Sequence, residues 1–473
     1  MKTNILTIFL TLLLIQLPVY ETFSQPIKTV NHKGCINCKE KVNEYKEDYK
    51  EACTLLAKNY IYLEEKLNVS RDEFLKECID HAETVDWSSG KETFVSEIRK
   101  LMAKFKDGHI YWQLEKELWP YEKGRFLGVV LTLNKDDKIY VGKAYKGFTD
   151  ELSIGDEILT WNGKVIKEEI KRMGRIIPAS TKASTNEKVA RRLTLEIPFQ
   201  PLRENFDPVK ITYRNKEGKI KETTLTWKDC SATITVNKIK KSKNPHMLLL
   251  TKGMQASLED IPDDARYIHP SLIFYTRKIN ATKYVILHPR DFYQWEIEDL
   301  KKTFELIEEE NPDVLVIDLK DTAGGNFNQV LYLAHVLNVE KPFDFQYDFI
   351  DKETGERTTG VDDFDFISKK IHYQKNWDKK LFIRINPMVA SGGDYFTRWM
   401  QLNRRGVLFG LPTAGAGGGT DYFELKNTKT IIHIPLRDRK LLMDDKGIEG
   451  NSVMPDYIFD GELMDFFKEY KIK

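Results

Sequence analysis

The chain has 473 residues, enough for about two to four domains, and its 41% hydrophobic content can supply a buried core. Its 73 basic and 72 acidic side chains leave a net charge of +1. A nucleic-acid-binding protein would need a basic face, whereas charges of both signs are finely mixed here, as on an ordinary solvated surface. The composition therefore gives no reason to expect nucleic acid as a partner.

The first residues of the chain have the layout of a secretory signal peptide, predicted to cover residues 1–24. Lys2 provides a positive start, an apolar run extends from Ile5 to Leu17, and Thr22 and Ser24 have the spacing of a cleavage site. An uncleaved anchor is the alternative, but a transmembrane helix needs about 20 apolar residues. The sequence thus predicts a periplasmic or secreted protein without a stable membrane span.

Export makes disulfides chemically possible for the five cysteines of the chain. Cys35 and Cys38 have the spacing of a redox or metal-binding pair, but a zinc site would need a second close pair, which the sequence lacks. His32 and Cys53 are the alternative further ligands. A structural disulfide, or partly free thiols, fits the odd number better. The five are Cys35, Cys38, Cys53, Cys78 and Cys230.

Residues 25–120 are predicted to form a helical N-terminal module. Apolar residues between positions 39 and 66 recur at helical spacing. Ser70 and Glu73 form a capping box, in which each side chain satisfies a free backbone N–H at a helix start. The helices end at the Asp-Gly-His turn of residues 107–109, where the Asp-Gly pair predicts a turn.

Residues 121–230 are predicted to form a β-barrel that resembles a PDZ domain. The resemblance lies in residues 152–163, which contain a Gly-Asp turn, an apolar Ile-Leu pair and an Asn-Gly hairpin. In such a domain, loop N–H groups capture a chain terminus while the peptide adds as a strand. That loop would consist of Phe126, Leu127, Gly128 and Val129. A β-module used only for packing is the alternative, and residues 178–204 resemble an insertion or flexible crossing.

Residues 231–473 are predicted to form an α/β domain, because strands and helices alternate from about residue 272. Two of the strands run into glycine pairs, at residues 318–326 and 386–394. Paired glycines can turn backbone N–H groups outward, as an oxyanion hole requires. Ser391 stands at a helix N-terminus, where the helix dipole favours developing negative charge. By itself, a serine at this place is usually only an N-cap.

Four motifs occur in an order that resembles the tail-specific (C-terminal processing) serine protease family, and they lie at residues 318–326, 390–393, 410–415 and 449–456. Together with the PDZ-like core, the resemblance spans about Lys106 to Asp460. It implies a crotonase-type α/β core, endopeptidase activity on polypeptides, and a PDZ module that selects unfolded or C-terminal segments. It implies no metal and no organic cofactor.

The resemblance also implies a catalytic set, although one family residue is missing. Many members use a Ser–Lys dyad, but Ala416 stands where that lysine would be. A second branch, similar to the tricorn core protease, takes a histidine from an Asp-Gly-His turn, which His109 matches. Glu449 matches the glutamate that orders this histidine, and Asp107 ranks below it. Ser391 would then be the nucleophile and His109 the base, with an acidic limb of activity at about pH 6 to 7.

The backbone N–H groups of Gly392 and Gly325 would hold the oxyanion, with Gly324 as a further candidate. The glycine run at residues 417–419 predicts a mobile substrate loop or a simple β-turn. Two other readings stay open: a peptide-binding pseudoenzyme that lost catalysis with the lysine, and a ligand-binding protein on the same fold.

Overall fold

The computed structural model describes residues 38–119, 124–145, 149, 151–203, 205–230, 262, 264–293, 295–322, 324–337, 345–362, 377, 379–441, 444 and 446–470. The predicted signal peptide, His32 and Cys35 lie outside the described residues. Within the described ranges, no helix combines the length and the apolar character that crossing a membrane would require.

The N-terminal module is helical, as predicted. Its helices are α1 (Cys38–Asn59), α2 (Leu63–Leu67), α3 (Arg71–Thr84) and α4 (Lys91–Lys104), with a 3₁₀ turn at Trp87–Ser89 and a following short strand β1 (Tyr111–Gln113). The predicted capping box is present, because the Ser70 hydroxyl accepts from the Glu73 N–H and the Glu73 carboxylate accepts from the Ser70 N–H. A disulfide joins Cys53 of α1 to Cys78 of α3.

The PDZ-like region is an antiparallel barrel with two helices. Its elements are β2 (Gly124–Phe126), β3 (Val129–Leu133), β4 (Ile139–Ala144), β5 (Glu157–Trp161), β6 (Lys164–Val165), α5 (Ile166–Met173), α6 (Lys182–Thr194), β7 (Leu195–Glu196), β8 (Val209–Arg214), β9 (Ile220–Leu225) and β10 (Lys228–Cys230). The main sheet has the order β3-β4-β5-β8-β9. The predicted insertion at residues 178–204 is wrong: it contains α6, whose Val189, Ala190 and Leu193 are fully buried in the barrel core.

The C-terminal region contains the predicted α/β core. Its elements are β11 (Arg266–His269), β12 (Leu272–Ile279), β13 (Thr282–Pro289), α7 (Ile297–Glu309), β14 (Val314–Asp318), α8 (Phe327–Val336), β15 (Phe345–Ile350), β16 (Arg357–Asp362), β17 (Lys380–Ile385), α9 (Gly392–Leu402), β18 (Val407–Gly410), β19 (Gly419–Glu424), β20 (Ile431–Leu441), β21 (Tyr457–Ile458) and α10 (Leu463–Glu469). Seven strands form one sheet in the order β11-β12-β13-β14-β17-β18-β21, parallel from β13 onward. The carboxyl ends of β14 and β17 are neighbours, which brings the two glycine motifs together.

A second sheet, which the sequence did not indicate, joins the N-terminal module to the catalytic core. It has the order β1-β20-β15-β16, with β19 also paired to β20. Phe423 and Ile432 of this sheet, with Leu425 of the turn between β19 and β20, pack in the same core as Leu56 of α1 and Phe105 after α4. The Asp-Gly-His turn lies between α4, which packs in this shared core, and β1, which pairs with β20.

Candidate active site

Ser391 lies between β17 and α9 in a strained backbone conformation. Its φ of 53° and ψ of −124° are outside the helical and extended regions, and such strain is common at functional sites. The N-cap interpretation is wrong for its side chain, because the hydroxyl makes no capping hydrogen bond. Its backbone N–H donates to the Ala416 carbonyl at 2.9 Å. The Ser391 hydroxyl is therefore not used to cap the start of α9.

The three predicted oxyanion-hole glycines lie around Ser391. Gly324 has a φ of +100°, and a Cβ at this position would lie 2.7 Å from both the Ser391 Cβ and the Gly392 N. A Cβ at Gly392 would lie 3.3 Å from the Gly325 N. Side chains at these positions would collide with the backbone, so the glycines permit the close approach that an oxyanion hole beside the serine requires.

His109 is 1% exposed. In the same turn, both carboxylate oxygens of Asp107 accept hydrogen bonds. The Asp107 Oδ1 accepts from the His109 N–H at 2.7 Å, and the Oδ2 accepts from the Tyr60 hydroxyl at 2.8 Å. A ring nitrogen of His109 and one carboxylate oxygen each of Asp107 and Glu449 all lie within 4.8 Å of one another. The tertiary structure thus brings together the predicted histidine and glutamate, which are far apart in sequence.

Glu449 is buried, and both of its carboxylate oxygens accept hydrogen bonds. The Oε1 accepts from the Lys66 ammonium at 2.5 Å, and the Oε2 accepts from the Ser180 hydroxyl and the Gly417 N–H, each at 3.0 Å. Burial raises the pKa of Glu449 well above its ordinary value, the Asp107 carboxylate raises it further, and Lys66 opposes both effects. Among the described residues, Asp107, His109 and Glu449 are close enough to hold a metal ion, but the carboxylates are already engaged by protein donors.

Lys188 of α6 is a positively charged residue near His109 that no sequence motif indicated. Its Nζ donates to the Pro178 carbonyl at 3.3 Å and would lie 3.3 Å from a Cβ at Gly108. The pKa of His109 is lowered to about 4, mainly because the ring is buried; Asp107 opposes this shift, and Lys188 contributes to it. Burial likewise lowers the pKa of Lys188. A lone lysine in an amphipathic helix carries no motif, so no local signal could have identified it.

Residues 413–418 form a buried wall of the site. Asp394, in the first turn of α9, accepts the Gly415 N–H at 3.2 Å and the Ala416 N–H at 2.9 Å. Burial raises the pKa of Asp394 to about 7. The Gly418 N–H donates to the Tyr395 hydroxyl at 3.3 Å. Residues 417 and 418 are buried and hydrogen-bonded, which does not fit the predicted mobile substrate loop.

The predicted carboxylate-binding loop of the PDZ-like region lies beside α6. Phe126, Leu127 and Val129 are buried, and the Leu127 N–H donates to the Thr194 carbonyl at 3.0 Å. Gly128 has a φ of +86°, which favours glycine. Within the described sheet, β3 is an edge strand beside this loop, so a peptide could add to it only on the side of α6.

A charged chain on α6 connects β3 to the catalytic core. The Glu187 carboxylate accepts the Leu133 N–H of β3 at 2.8 Å and pairs with Arg191 at 2.7 Å. Arg191 also donates to Asp321 at 2.6 Å, in the segment that leads to the oxyanion glycines. Asp321 has a φ of 68°, and Arg191 lowers its pKa despite its burial. The same helix therefore contacts both the β3 edge and the candidate active site.

A serine on a strained turn beside close-packed glycines, with a buried histidine and glutamate, is a set of groups that serine peptidases use. Residues 283–459 match the sequence profile of Peptidase family S41, and residues 123–236 match that of a PDZ domain. Residues 283–459 are therefore similar to peptidase family S41, and a region that is similar to a PDZ domain precedes them. This confirms the protease class and the PDZ region that the motifs implied.

Individual relatives are distant. The tail-specific protease of Haemophilus influenzae is 24% identical over 140 residues, which is 30% of this chain and 18% of that protein. This chain therefore aligns with less than a fifth of that relative. Mature CPAF has a TM-score of 0.64 at 14% sequence identity, and the match covers 89% of this chain and 93% of the CPAF chain. Mature CPAF complexed with lactacystin has the same TM-score, identity and coverage of this chain, with 94% of the CPAF chain covered. At such identity the structural likeness establishes the fold.

Proposed function

We propose that the protein is an exported serine endopeptidase that cleaves unfolded or C-terminal polypeptide segments, with Ser391 as nucleophile and His109 as base. The observation that carries the proposal is the cluster of Asp107, His109 and Glu449 within 4.8 Å. This cluster contacts the 416–417 backbone through the Gly417 N–H, and the adjacent Ala416 carbonyl accepts the Ser391 N–H. Ser391 and the cluster that contains His109 therefore both contact one short segment, which supports the proposed pairing of nucleophile and base.

The proposed chemistry follows the roles of a serine triad. The Ser391 Oγ attacks the scissile carbonyl while His109 takes its proton, and the N–H groups of Gly392 and Gly325 stabilise the oxyanion, with Gly324 as a further candidate. His109 then protonates the leaving amine as the C–N bond breaks. Water, deprotonated by His109, hydrolyses the acyl-enzyme, and the proton returns to Ser391. Glu449 stabilises the imidazolium that forms at each step.

A histidine base is favoured over a lysine base by what occupies position 416. Ala416 is buried and carries no amine, so the usual family dyad cannot form there. Lys188 is the alternative lysine near this position, but its ammonium is held by the Pro178 carbonyl. A neutral imidazole needs no proton removed before it can act as a base.

The PDZ domain is proposed to present polypeptide substrates, through strand addition at β3 and capture of a chain terminus by residues 126–129. Export is proposed from the signal-peptide layout of residues 1–24. The Cys53–Cys78 disulfide agrees with an oxidising compartment.

The proposal is tested by the initial rate at which the purified protein cleaves a denatured protein substrate. Ser391→Ala and His109→Ala should each abolish most turnover, because members of a catalytic unit fail together. Glu449→Gln should cost less. His81→Ala is a matched control, since His81 pairs with Glu97 in the N-terminal module, outside the site. Circular dichroism checks folding. A folded wild type that binds peptides without cleaving them would instead support the pseudoenzyme.

A further inference from the structure

We propose that Lys66 of the N-terminal module is a positioning residue of this active site, which favours the carboxylate form of Glu449 beside His109. The inference rests on the proposed function, because it assigns Lys66 a role through Glu449. It also gives the helical module a function that the sequence did not indicate.

The contacts of Lys66 anchor it between two functional segments. Its Nζ donates to the Glu449 Oε1 at 2.5 Å and to the Lys106 carbonyl at 3.1 Å. Lys106 immediately precedes the Asp-Gly-His turn and has a φ of 47°. One ammonium group therefore connects the backbone before His109 to the carboxylate that would stabilise His109.

This ion pair differs from an ordinary surface salt bridge in its burial. The side chain of Lys66 is 15% exposed and that of Glu449 is 3% exposed. Exposed pairs contribute little to stability, whereas removing one partner of a buried pair leaves an uncompensated charge in a medium that solvates it poorly. Lys66 should therefore strongly influence whether Glu449 is ionised.

The neighbouring carboxylate makes this influence stronger. Asp107 lies within 4.8 Å of Glu449, and two buried carboxylates so close cannot both ionise easily without a cation. Lys66 is the cation in direct contact, while Lys188 acts from a greater distance and donates to a carbonyl. The charged and titratable groups that face Glu449 are Lys66, Asp107, His109, Lys188, Tyr60 and Tyr62.

Lys66 belongs to a short segment, residues 60–66, that contacts several groups of the site. The Tyr60 hydroxyl donates to Asp107 at 2.8 Å. The Tyr62 hydroxyl donates to Asp438 at 2.8 Å and would lie 3.1 Å from a Cβ at Gly418. Residues 60–66 thus contact both carboxylates beside His109 and the buried glycine run. Among the described residues, the hydrogen bonds of Ser391 are made with Ala416 and Tyr395 and with no residue of this segment.

Replacing Lys66 with methionine should raise the pKa of Glu449 further and favour its protonated form, because Lys66 opposes the effects of burial and of Asp107. A neutral carboxyl cannot stabilise the imidazolium, so kcat at pH 7 should fall by roughly tenfold or more, the size typical when a supporting partner of a site residue is lost. KM should change little, because the proposed role of Lys66 acts through Glu449. The loss should diminish as the pH rises through the pKa of Glu449, which burial and Asp107 raise and which the loss of Lys66 raises further, because ionisation restores the carboxylate. Lys66→Arg should keep most activity.

Three comparisons separate positioning from a merely structural role. In the Glu449→Gln background, Lys66→Met should add little, because Lys66 acts through Glu449. Lys58→Met is the matched control, since Lys58 lies in the same module and donates to the Glu353 carbonyl away from the site. Infrared spectroscopy at pH 7 should show a protonated-carboxyl band in Lys66→Met that is missing from Lys66→Met/Glu449→Gln. Lys66→Gln replaces Lys66→Met if the latter does not fold.

The results distinguish the two proposals. Wild-type activity with a slow Lys66→Met that recovers at high pH supports both. Wild-type kinetics in Lys66→Met, an equal loss at every pH without the infrared band, or additive losses with Glu449→Gln would overturn the role of Lys66 alone. An inactive wild type would overturn the proposed function, and the infrared band would then decide whether Lys66 keeps Glu449 ionised.

Discussion

The acidic limb of activity is the most sensitive test of how His109 works as a base. A general base must be neutral, so activity is present above its pKa and is lost as the pH falls through it. An unperturbed histidine would give a limb near pH 6.5. Burial, assisted by Lys188, lowers the pKa of His109 to about 4. The limb of kcat/KM should therefore lie well below the pH 6 to 7 expected from the sequence.

The size of the effect follows from these two values. At pH 5.5, a histidine with an unperturbed pKa is only about one-tenth neutral, whereas one with a pKa of about 4 is almost entirely neutral. The wild type should therefore keep nearly all of its plateau kcat/KM at pH 5.5, roughly tenfold more than an unperturbed base allows. Lys188→Met should move the limb to higher pH, because it removes a charge that disfavours the imidazolium.

The assay is kcat/KM for a quenched fluorescent peptide from pH 3.5 to 9, with folding checked at each pH. Lys182→Met is the matched control, since Lys182 lies on the same helix but pairs with Asp137 at the surface. A wild-type limb at pH 6.5 or above would refute the reasoning on burial. A limb above about pH 9, or complete loss of activity in Lys188→Met at every pH, would instead identify a lysine as the base.

Three further predictions concern other parts of the molecule. Gly324→Ala should lower kcat by roughly 100-fold or more, the size of effect seen when an oxyanion donor is lost. The new Cβ would lie 2.7 Å from the Ser391 Cβ and would displace the serine from the proposed oxyanion donors. An unchanged kcat in the folded variant would contradict this prediction. A peptide with a free apolar C-terminus should bind more tightly than its amide, though modestly because the Leu127 N–H is already engaged; equal affinities by isothermal titration calorimetry would exclude carboxylate capture. Replacing Cys53 and Cys78 with serine should cost about 3 kcal/mol of unfolding free energy, since the bond closes a loop with a sequence separation of 25; an unchanged urea midpoint would argue against this.

Local patterns in the sequence were sufficient for many regular elements and for the proposed nucleophile. The alternation of strands and helices predicted from about residue 272 is present, for example in the helix Ile297–Glu309 and the strand Val407–Gly410, because apolar periodicity reflects which face of an element is buried. The capping box at Ser70 needs only neighbouring residues. Ser391 and its glycines could be identified because a strand–turn–helix geometry demands small residues within a few positions.

Tertiary structure decided what surrounds these residues. Lys66 and Glu449 are 383 positions apart, and Lys188 reaches the site from a helix that the sequence suggested was an insertion. A lysine buried by long-range packing has the same local pattern as one on a solvated helix, so periodicity cannot tell them apart. The pKa of His109 likewise depends on burial and on charges from distant segments. The sequence by itself therefore determined the proposed reacting groups, while the packing of the N-terminal module and α6 against the core determined their electrostatic environment.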